Sequence, residues 1–148
     1  MPLEGPLLDA DGTAVGTHRG AAAYTVGQRR GIGVALGEPR YVSRIDPLTN
    51  TITLGRRRDL ETTTVALDDG AFIAGAAPAP DTFRAMIRIR HRARPVPATV
   101  RRANPAEPDR GGRWHVETDE PVWAAAPGQA AVLYDGEVVL GGGRIAGV

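Results

Sequence analysis

The most unusual segment of the sequence is rich in glycine and in hydrogen-bond donors. Residues 27–33 run Gly-Gln-Arg-Arg-Gly-Ile-Gly. The three glycines let a backbone approach a ligand closely, while Gln28, Arg29 and Arg30 supply donors. The segment lacks the lysine and hydroxyl residue of a phosphate-binding P-loop and the strand–helix setting of a dinucleotide fingerprint. Composition alone leaves two interpretations open, a ligand-contacting loop and a flexible surface turn.

A second candidate is a stretch in which arginine alternates with mostly apolar residues. Because successive strand residues point to opposite faces, one face is apolar and the other is an arginine ladder. The ladder spacing is about 6.6 Å, close to the phosphate repeat of a nucleic-acid strand. Carboxylates on neighbouring strands are the alternative partners for these cations. The apolar face comprises Phe83, Ala85, Ile87, Ile89 and His91, and the ladder Arg84, Met86, Arg88, Arg90 and Arg92.

The net charge of +1 conceals a strong segregation of charge along the 148 residues. Residues 16–58 contain eight arginines against two acids, and residues 82–103 contain seven arginines and no acid. Solvated strand faces are the ordinary explanation of such runs. Unpaired arginines repel one another and bind polyanions favourably, and a guanidinium donates two parallel hydrogen bonds to a phosphate. The two basic blocks therefore predict a nucleic-acid contact surface.

Several kinds of chemistry are excluded by residues that the sequence lacks. The chain has no cysteine and no lysine, and Ser43 is its single serine. Disulfides, thiolate nucleophiles, persulfide carriers, Schiff bases and a P-loop lysine are therefore absent. The three histidines are scattered and are interpreted as non-metal residues. No membrane-length apolar run and no signal-peptide pattern are present, which predicts a soluble cytosolic protein.

The remaining pattern is one of short strands and turns. With 19 glycines and 12 prolines, the chain favours strands over long helices. A hairpin is predicted from Arg40–Ile45 and Thr51–Leu54, Asp68-Asp69-Gly70 is predicted to be a turn, and a domain boundary is placed near residue 62. About six short strands follow, which is typical of a small antiparallel barrel. Between two of them, the Pro127-Gly128-Gln129 segment is either a plain turn or one that positions the Gln129 amide. The strands are predicted around 83–92, 96–101, 113–118, 122–125, 130–134, 137–140 and 144–146.

Three segments together resemble one family, the tRNA-specific 2-thiouridylases. Residues 5–34 are similar to its Gly-x-His-x-Gly and Tyr-Thr-x-Gly-Gln-Arg-x-Gly-x-Gly patterns. Residues 87–100 resemble its Arg-Tyr-Arg strand, with His91 in place of the usual Tyr. Residues 121–145 resemble its Pro-Gly-Gln and Gly-Gly-Gly tail. The resemblance implies a mainly β chain, with a central β-rich domain at 1–62 and a six-stranded antiparallel barrel at 63–148. That barrel is expected to be similar to domain 2 of translation elongation factors.

The resemblance also implies what this chain does not carry. The family's N-terminal nucleotide-binding domain and its two sulfur-handling cysteines have no match here, so the chain alone is expected to be inert and to hold no cofactor. The intact enzyme is expected to thiolate the wobble uridine of tRNA, using ATP, Mg²⁺ and a sulfur-relay protein. Family tRNA contacts map onto Arg90, His91 and Gln129. The wider set of predicted tRNA-binding residues adds Arg88, Arg92, Gln28, Arg29 and Arg30.

Three hypotheses about function remain open at this point. The first is a tRNA-gripping fragment of a thiolation enzyme. The second is an interaction module whose glycine-rich loop docks the catalytic domain. The third is a small-ligand barrel, for example one that binds a flavin or a nucleotide.

Overall fold

A computed structural model describes residues 3–33, 36–90 and 93–147 of the chain. The chain divides into two compact units, Met1–Glu61 and Thr62–Val148. Within the described ranges the regular structure is ten β-strands and two short 3-10 turns, which confirms the predicted mainly β class. No helix among these residues has the length and apolar character needed to cross a membrane.

The first unit is built on a four-stranded sheet with the order β2-β1-β4-β3. Strands β1 and β4 are parallel, whereas the β1–β2 and β3–β4 pairs are antiparallel. The predicted hairpin is confirmed as the β3–β4 pair, and its loop holds the polar residues that break the strand pattern. One face buries Leu7, Val42, Ile52 and Leu54, and Ile32 packs against them. The strands are β1 (Gly5–Leu8), β2 (Ala14–His18), β3 (Tyr41–Asp46) and β4 (Thr51–Gly55).

A buried histidine in the first unit forms hydrogen bonds to two backbone segments. His18 is 1% exposed, and its Nδ1 accepts a hydrogen bond from the Gly20 N–H at 3.0 Å. Its Nε2 is 2.7 Å from the Asn50 carbonyl oxygen, so Nε2 carries the proton and the ring is neutral. A Cβ at Gly5 would lie 2.6 Å from that Nε2, so only glycine fits there. These contacts give a structural reason for Gly5 and for the His18-x-Gly20 part of the Gly-x-His-x-Gly pattern.

The second unit is a closed six-stranded barrel, as predicted, with the strand order β10-β5-β8-β7-β6-β9. Alternate residues of each strand point inward and form one apolar core, and Ile87, Leu133 and Ile145 are among its most buried members. The strands are β5 (Glu61–Phe72), β6 (Thr82–Arg88), β7 (Val96–Arg102), β8 (Trp114–Trp123), β9 (Ala130–Asp135) and β10 (Val138–Gly147).

The predicted strand boundaries of the barrel were wrong in two respects. Asp68-Asp69-Gly70 is not a turn but part of the twelve-residue β5, in which Asp69 alone takes a left-handed φ of 54°. That single irregular residue bends the strand without ending it. Strand β8 is continuous where two strands, 113–118 and 122–125, were predicted. Strand β10 is likewise continuous where 137–140 and 144–146 were predicted as separate strands. Proline and glycine inside these strands were mistaken for strand ends.

Gly70 makes room for the largest side chain of the barrel core. A Cβ at Gly70 would lie 2.6 Å from the Trp114 Nε1 atom and 2.8 Å from its Cδ1. Trp114 is 2% exposed and packs edge to face against Phe72 and Phe83. The missing side chain at position 70 is therefore a packing requirement of the indole ring.

We expect Gly70→Ala to destabilise the barrel by about 1–3 kcal/mol because it overpacks this contact. Urea unfolding measures the change in the free energy of unfolding. In a Trp114→Phe background the same substitution is expected to cost less, since a phenyl ring lacks the Nε1 atom that lies closest to the added Cβ. An equal cost in both backgrounds would show that the indole is not what excludes a side chain at position 70.

Candidate nucleic-acid interface

Strand β6 places its arginines on the outer wall of the barrel. Phe83, Ala85, Ile87 and Ile89 are buried, while the residues between them are half-buried or exposed. This pattern confirms the predicted alternation over residues 83–90. His91 and Arg92 of the predicted ladder lie outside the described residues.

The first arginine of the ladder is neutralised by a carboxylate. Arg84 Nη1 and Nη2 donate to the two carboxylate oxygens of Asp119 at 2.8 and 2.6 Å, and Nη1 also donates to Thr99 Oγ1 at 3.0 Å. The hydrogen bonds from Arg84 hold the pKa of Asp119 below its usual range. At this position the alternative interpretation of the ladder is therefore correct.

Two further arginines of the ladder have aromatic partners. Arg88 Nη2 donates to the Tyr134 hydroxyl oxygen at 2.7 Å, and its Cζ is 5.4 Å from the centre of the Tyr134 ring. The Arg90 Cζ is 5.4 Å from the centre of the Trp123 ring. Among the described residues no carboxylate lies within 4.0 Å of either guanidinium. An aromatic ring orients a guanidinium without cancelling its charge, so both remain cationic on the wall.

The pairing of β6, β9 and β10 brings these cations to one end of the barrel. Arg88 lies opposite Val132, and β9 then runs back toward Gln129, so Arg90 and Gln129 are at the same end. Arg144 on β10 lies opposite Ala130, the residue after Gln129. We name Arg88, Arg90, Gln129 and Arg144 the basic rim.

Arg144 belongs to the basic rim although it was not among the residues predicted to bind tRNA. It is exposed, it donates from Nη1 to the Gly128 carbonyl oxygen at 2.9 Å, and no described carboxylate lies within 4.0 Å of it. Asp68 faces it across β5 in the strand register, beyond ion-pair distance. Counting residues from the turn after Asp135 would have placed Arg144 opposite Gln129, and one bulge shifts it to Ala130.

The Gln129 side chain supports the turn that carries it. Its Oε1 accepts from the Ala126 N–H at 3.1 Å, and its backbone carbonyl accepts from the Ile145 N–H at 2.8 Å. The Gly128 N–H in turn donates to the Ile145 carbonyl at 2.8 Å. The turn is thereby fixed to β10, which leaves the Nε2 donors of Gln129 for a ligand. Its contact with tRNA stays a prediction.

The glycine-rich loop of the first unit is anchored along the edge of its sheet. The Gly27 N–H donates to the Val42 carbonyl at 2.7 Å, and the Val42 N–H donates to the Gln28 carbonyl at 2.9 Å. Gln28 uses both ends of its amide within the loop, accepting from the Thr25 N–H at 3.1 Å and donating to the Arg30 carbonyl at 2.8 Å. The Gln28 side chain therefore stabilises the conformation of the loop.

The two arginines of this loop remain available. Arg29 and Arg30 are exposed, and among the described residues neither has an ion-pair partner. Gly27, Gly31 and Gly33 have φ values of 93°, 76° and 82°, which explains why the loop is rich in glycine. The loop thus presents two free guanidinium groups on a fixed backbone, and their contact with tRNA stays a prediction.

Most other arginines that the structure describes in the barrel form ion pairs or hydrogen bonds within the protein. Arg102 donates to the Pro80 and Glu107 carbonyls at 2.6 and 2.9 Å, pairs with Asp109 and stacks on Trp114. Arg113 pairs with Glu107 at 2.5 Å, and Arg94 pairs with Glu120 at 2.5 Å. Neutralised cations of this kind do not attract a polyanion. Among the described strand residues, free charge therefore lies on the basic rim and at Arg101 of β7, which is exposed and has no ion pair.

The metal-ligating side chains of the described residues do not cluster. Across residues 3–33, 36–90 and 93–147, no three histidine or carboxylate side chains are close enough to hold a metal ion. The sequence also has no cysteine or lysine. Free guanidinium groups fit the binding of phosphates.

We expect Arg84→Gln to return the pKa of Asp119 toward the ordinary aspartate value, because the lowered pKa comes from the Arg84 hydrogen bonds. Titration of the Asp119 carboxyl carbon by NMR measures this pKa.

The Arg84–Asp119 pair also makes the stability of the barrel depend on pH. Its contribution is fully present at pH values above the pKa of an aspartate in the unfolded chain, about 4. The contribution is lost as the pH falls through the lower pKa that Asp119 has in the folded chain. The stability difference between the original chain and Asp119→Asn should therefore shrink at acid pH. A pH-independent difference would contradict the pairing.

Two family models match the chain in sequence order. The tRNA methyl transferase PRC-barrel domain matches residues 1–56, and the aminomethyltransferase beta-barrel domain matches residues 62–145. Among curated proteins, the tRNA-specific 2-thiouridylase MnmA of Chloroflexus aggregans is 46% identical over 97% of this chain and 38% of its own length. The proteins of the same name from Moorella thermoacetica and Microcystis aeruginosa are 42% and 38% identical, each over 97% of this chain.

The chain spans less than two fifths of the length of these relatives. The matches nevertheless cover it almost from end to end, and the barrel that the second family model describes is the barrel seen in the structure. The resemblance noted in the sequence is thereby confirmed, and the chain belongs to the tRNA-specific 2-thiouridylase family, of which it represents the middle and C-terminal domains.

Proposed function

We propose that this chain is the tRNA-binding part of a tRNA-specific 2-thiouridylase. It holds the tRNA by phosphate contacts, while a catalytic domain outside this chain thiolates the wobble uridine. The observation that carries the proposal is the basic rim, where Arg88, Arg90 and Arg144 are cationic, solvent-facing and free of described carboxylate partners. Such a surface gains free energy by displacing counterions from a nucleic-acid backbone.

The arrangement of the rim suits backbone recognition more than base reading. Arg88 and Arg90 are each oriented by an aromatic ring, and Arg144 by a backbone carbonyl. Arg29 and Arg30 on the glycine-rich loop supply a second pair of phosphate contacts.

The chemical step belongs to the part of the enzyme that this chain does not contain. We place the action of ATP, Mg²⁺ and a sulfur-relay protein there, and the thiol chemistry as well, because this chain has no cysteine. The chain on its own is therefore expected neither to hydrolyse ATP nor to thiolate tRNA. Transfer of sulfur to tRNA by the isolated 148-residue chain would contradict this division of labour.

A binding titration against tRNA at a series of salt concentrations tests the proposal. We expect the logarithm of the association constant to fall linearly with the logarithm of salt concentration. The combined substitution Arg88→Ala, Arg90→Ala and Arg144→Ala should reduce the magnitude of that slope by about 0.7–0.9 for each phosphate contact removed. Fluorescence anisotropy of labelled tRNA measures both quantities.

The matched control changes an arginine that is already neutralised. Arg84→Gln together with Asp119→Asn removes one cation and its partner anion from the same wall. We expect the salt slope and the affinity of this variant to equal those of the original chain. Binding that is insensitive to salt, or a slope that the control alters as much as the rim variant does, would refute the proposal.

A further inference from the structure

A shallow apolar groove adjoins the basic rim and is not explained by phosphate binding. It has a volume of about 410 Å³ and lies on the outer wall of the barrel, across β5, β9 and β10. Its described lining consists of alanine, valine, isoleucine, phenylalanine and glycine, without a charged side chain. Ile73 and Val139 stand at its edge and are 74% and 38% exposed. Exposed apolar surface of this kind commonly marks a contact site.

The floor of the groove is backbone that no side chain covers. A Cβ at Gly141 would lie 2.0 Å from the Ala71 carbonyl oxygen, and one at Gly142 would lie 2.0 Å from that of Ala131. Strand β10 therefore packs so closely between its neighbours that glycine is required at both positions. The groove therefore contains bare backbone at Gly141 and Gly142, bordered by the aliphatic side chains of Ile73, Val132 and Val139.

The groove and the free cations are direct neighbours. Val132, in the wall of the groove, lies opposite Arg88 on one side and opposite Gly142 on the other. Ala130, also in the wall, lies opposite Arg144. A ligand in the groove would thus have guanidinium groups beside it on β6 and on β10, the two strands that flank β9. This surface fits a molecule that combines a flat apolar face with negative charge.

We infer that the groove binds the base of an unpaired tRNA nucleotide whose flanking phosphates are held by Arg88 and Arg144. An unpaired base offers an apolar face that a duplex conceals in its stack. A purely apolar protein segment would fill the groove but leave the two neighbouring cations without a counter-charge. The inference rests on the proposed function, because it assigns one part of the tRNA to a surface next to the basic rim.

The test compares single-stranded RNA, duplex RNA of equal charge and intact tRNA as ligands of the 148-residue chain. The variant Ile73→Ser with Val139→Ser removes apolar edges that are outside the core. We expect it to lower the affinity for single-stranded RNA and tRNA about tenfold, to leave the salt slope unchanged, and to leave the affinity for duplex RNA unchanged. Val138→Ser is the matched control, because Val138 is 66% exposed and does not line the groove.

The outcomes separate the two proposals. Salt-dependent binding of tRNA with no effect of the groove variant would overturn the base site and leave the basic rim intact. Salt-independent or absent RNA binding would overturn both. An equal loss for single-stranded and duplex RNA would contradict recognition of an unpaired base. If the groove variant instead abolishes self-association detected by sedimentation and leaves RNA affinity unchanged, the groove is a protein-binding surface and the inference is wrong.

Discussion

Closure of the six-stranded barrel is the constraint on which the placement of the basic rim depends. Once the sheet closes, alternate residues of each strand must face a common interior, and the interior admits only apolar groups of matching size. In β6 this requirement directs Phe83, Ala85 and Ile87 inward and thereby fixes the intervening arginines on the outside. The cations of the wall are a consequence of core packing and cannot move without a slip in strand register.

The position of an arginine on the outer wall does not by itself decide whether its charge is free to bind a polyanion. Arg84 and Arg88 differ by four residues on one strand, yet the former is bound by both oxygens of Asp119 and the latter only by a tyrosine. A carboxylate cancels the charge that a polyanion would bind, whereas an aromatic ring orients the guanidinium and preserves its charge. The distribution of Asp and Glu therefore leaves only some of the arginines in this basic sequence with free charge, among them those of the basic rim and Arg101 of β7.

The same strand pairing accounts for the neighbouring apolar groove. Glycine at 141 and 142 is required because β10 lies against carbonyl groups of both adjacent strands. The absence of side chains there leaves bare backbone beside Arg88 and Arg144. Packing of the barrel thus sets an apolar surface and fixed cations side by side, which is the combination that a nucleotide of single-stranded RNA requires.

Local periodicity was enough to predict β6, the β3–β4 hairpin and the barrel, because these depend on alternation and turn residues within a short stretch. It failed at β5, where Asp69 and Gly70 resemble a turn but serve a bulge and the packing of Trp114. The Arg84–Asp119 pair joins residues 35 positions apart, so no local pattern reveals it. Gln28 was predicted as a ligand contact, and its bracing role emerged only from contacts within the folded loop.

The most direct measurement of the central claim is an NMR spectrum of the arginine Nε–Hε groups during addition of tRNA at low salt. The account predicts that the signals of Arg88, Arg90 and Arg144 shift with a common saturation curve, while that of Arg84 stays in place. Binding of tRNA that shifts the Arg84 signal and leaves the other three unchanged would contradict it.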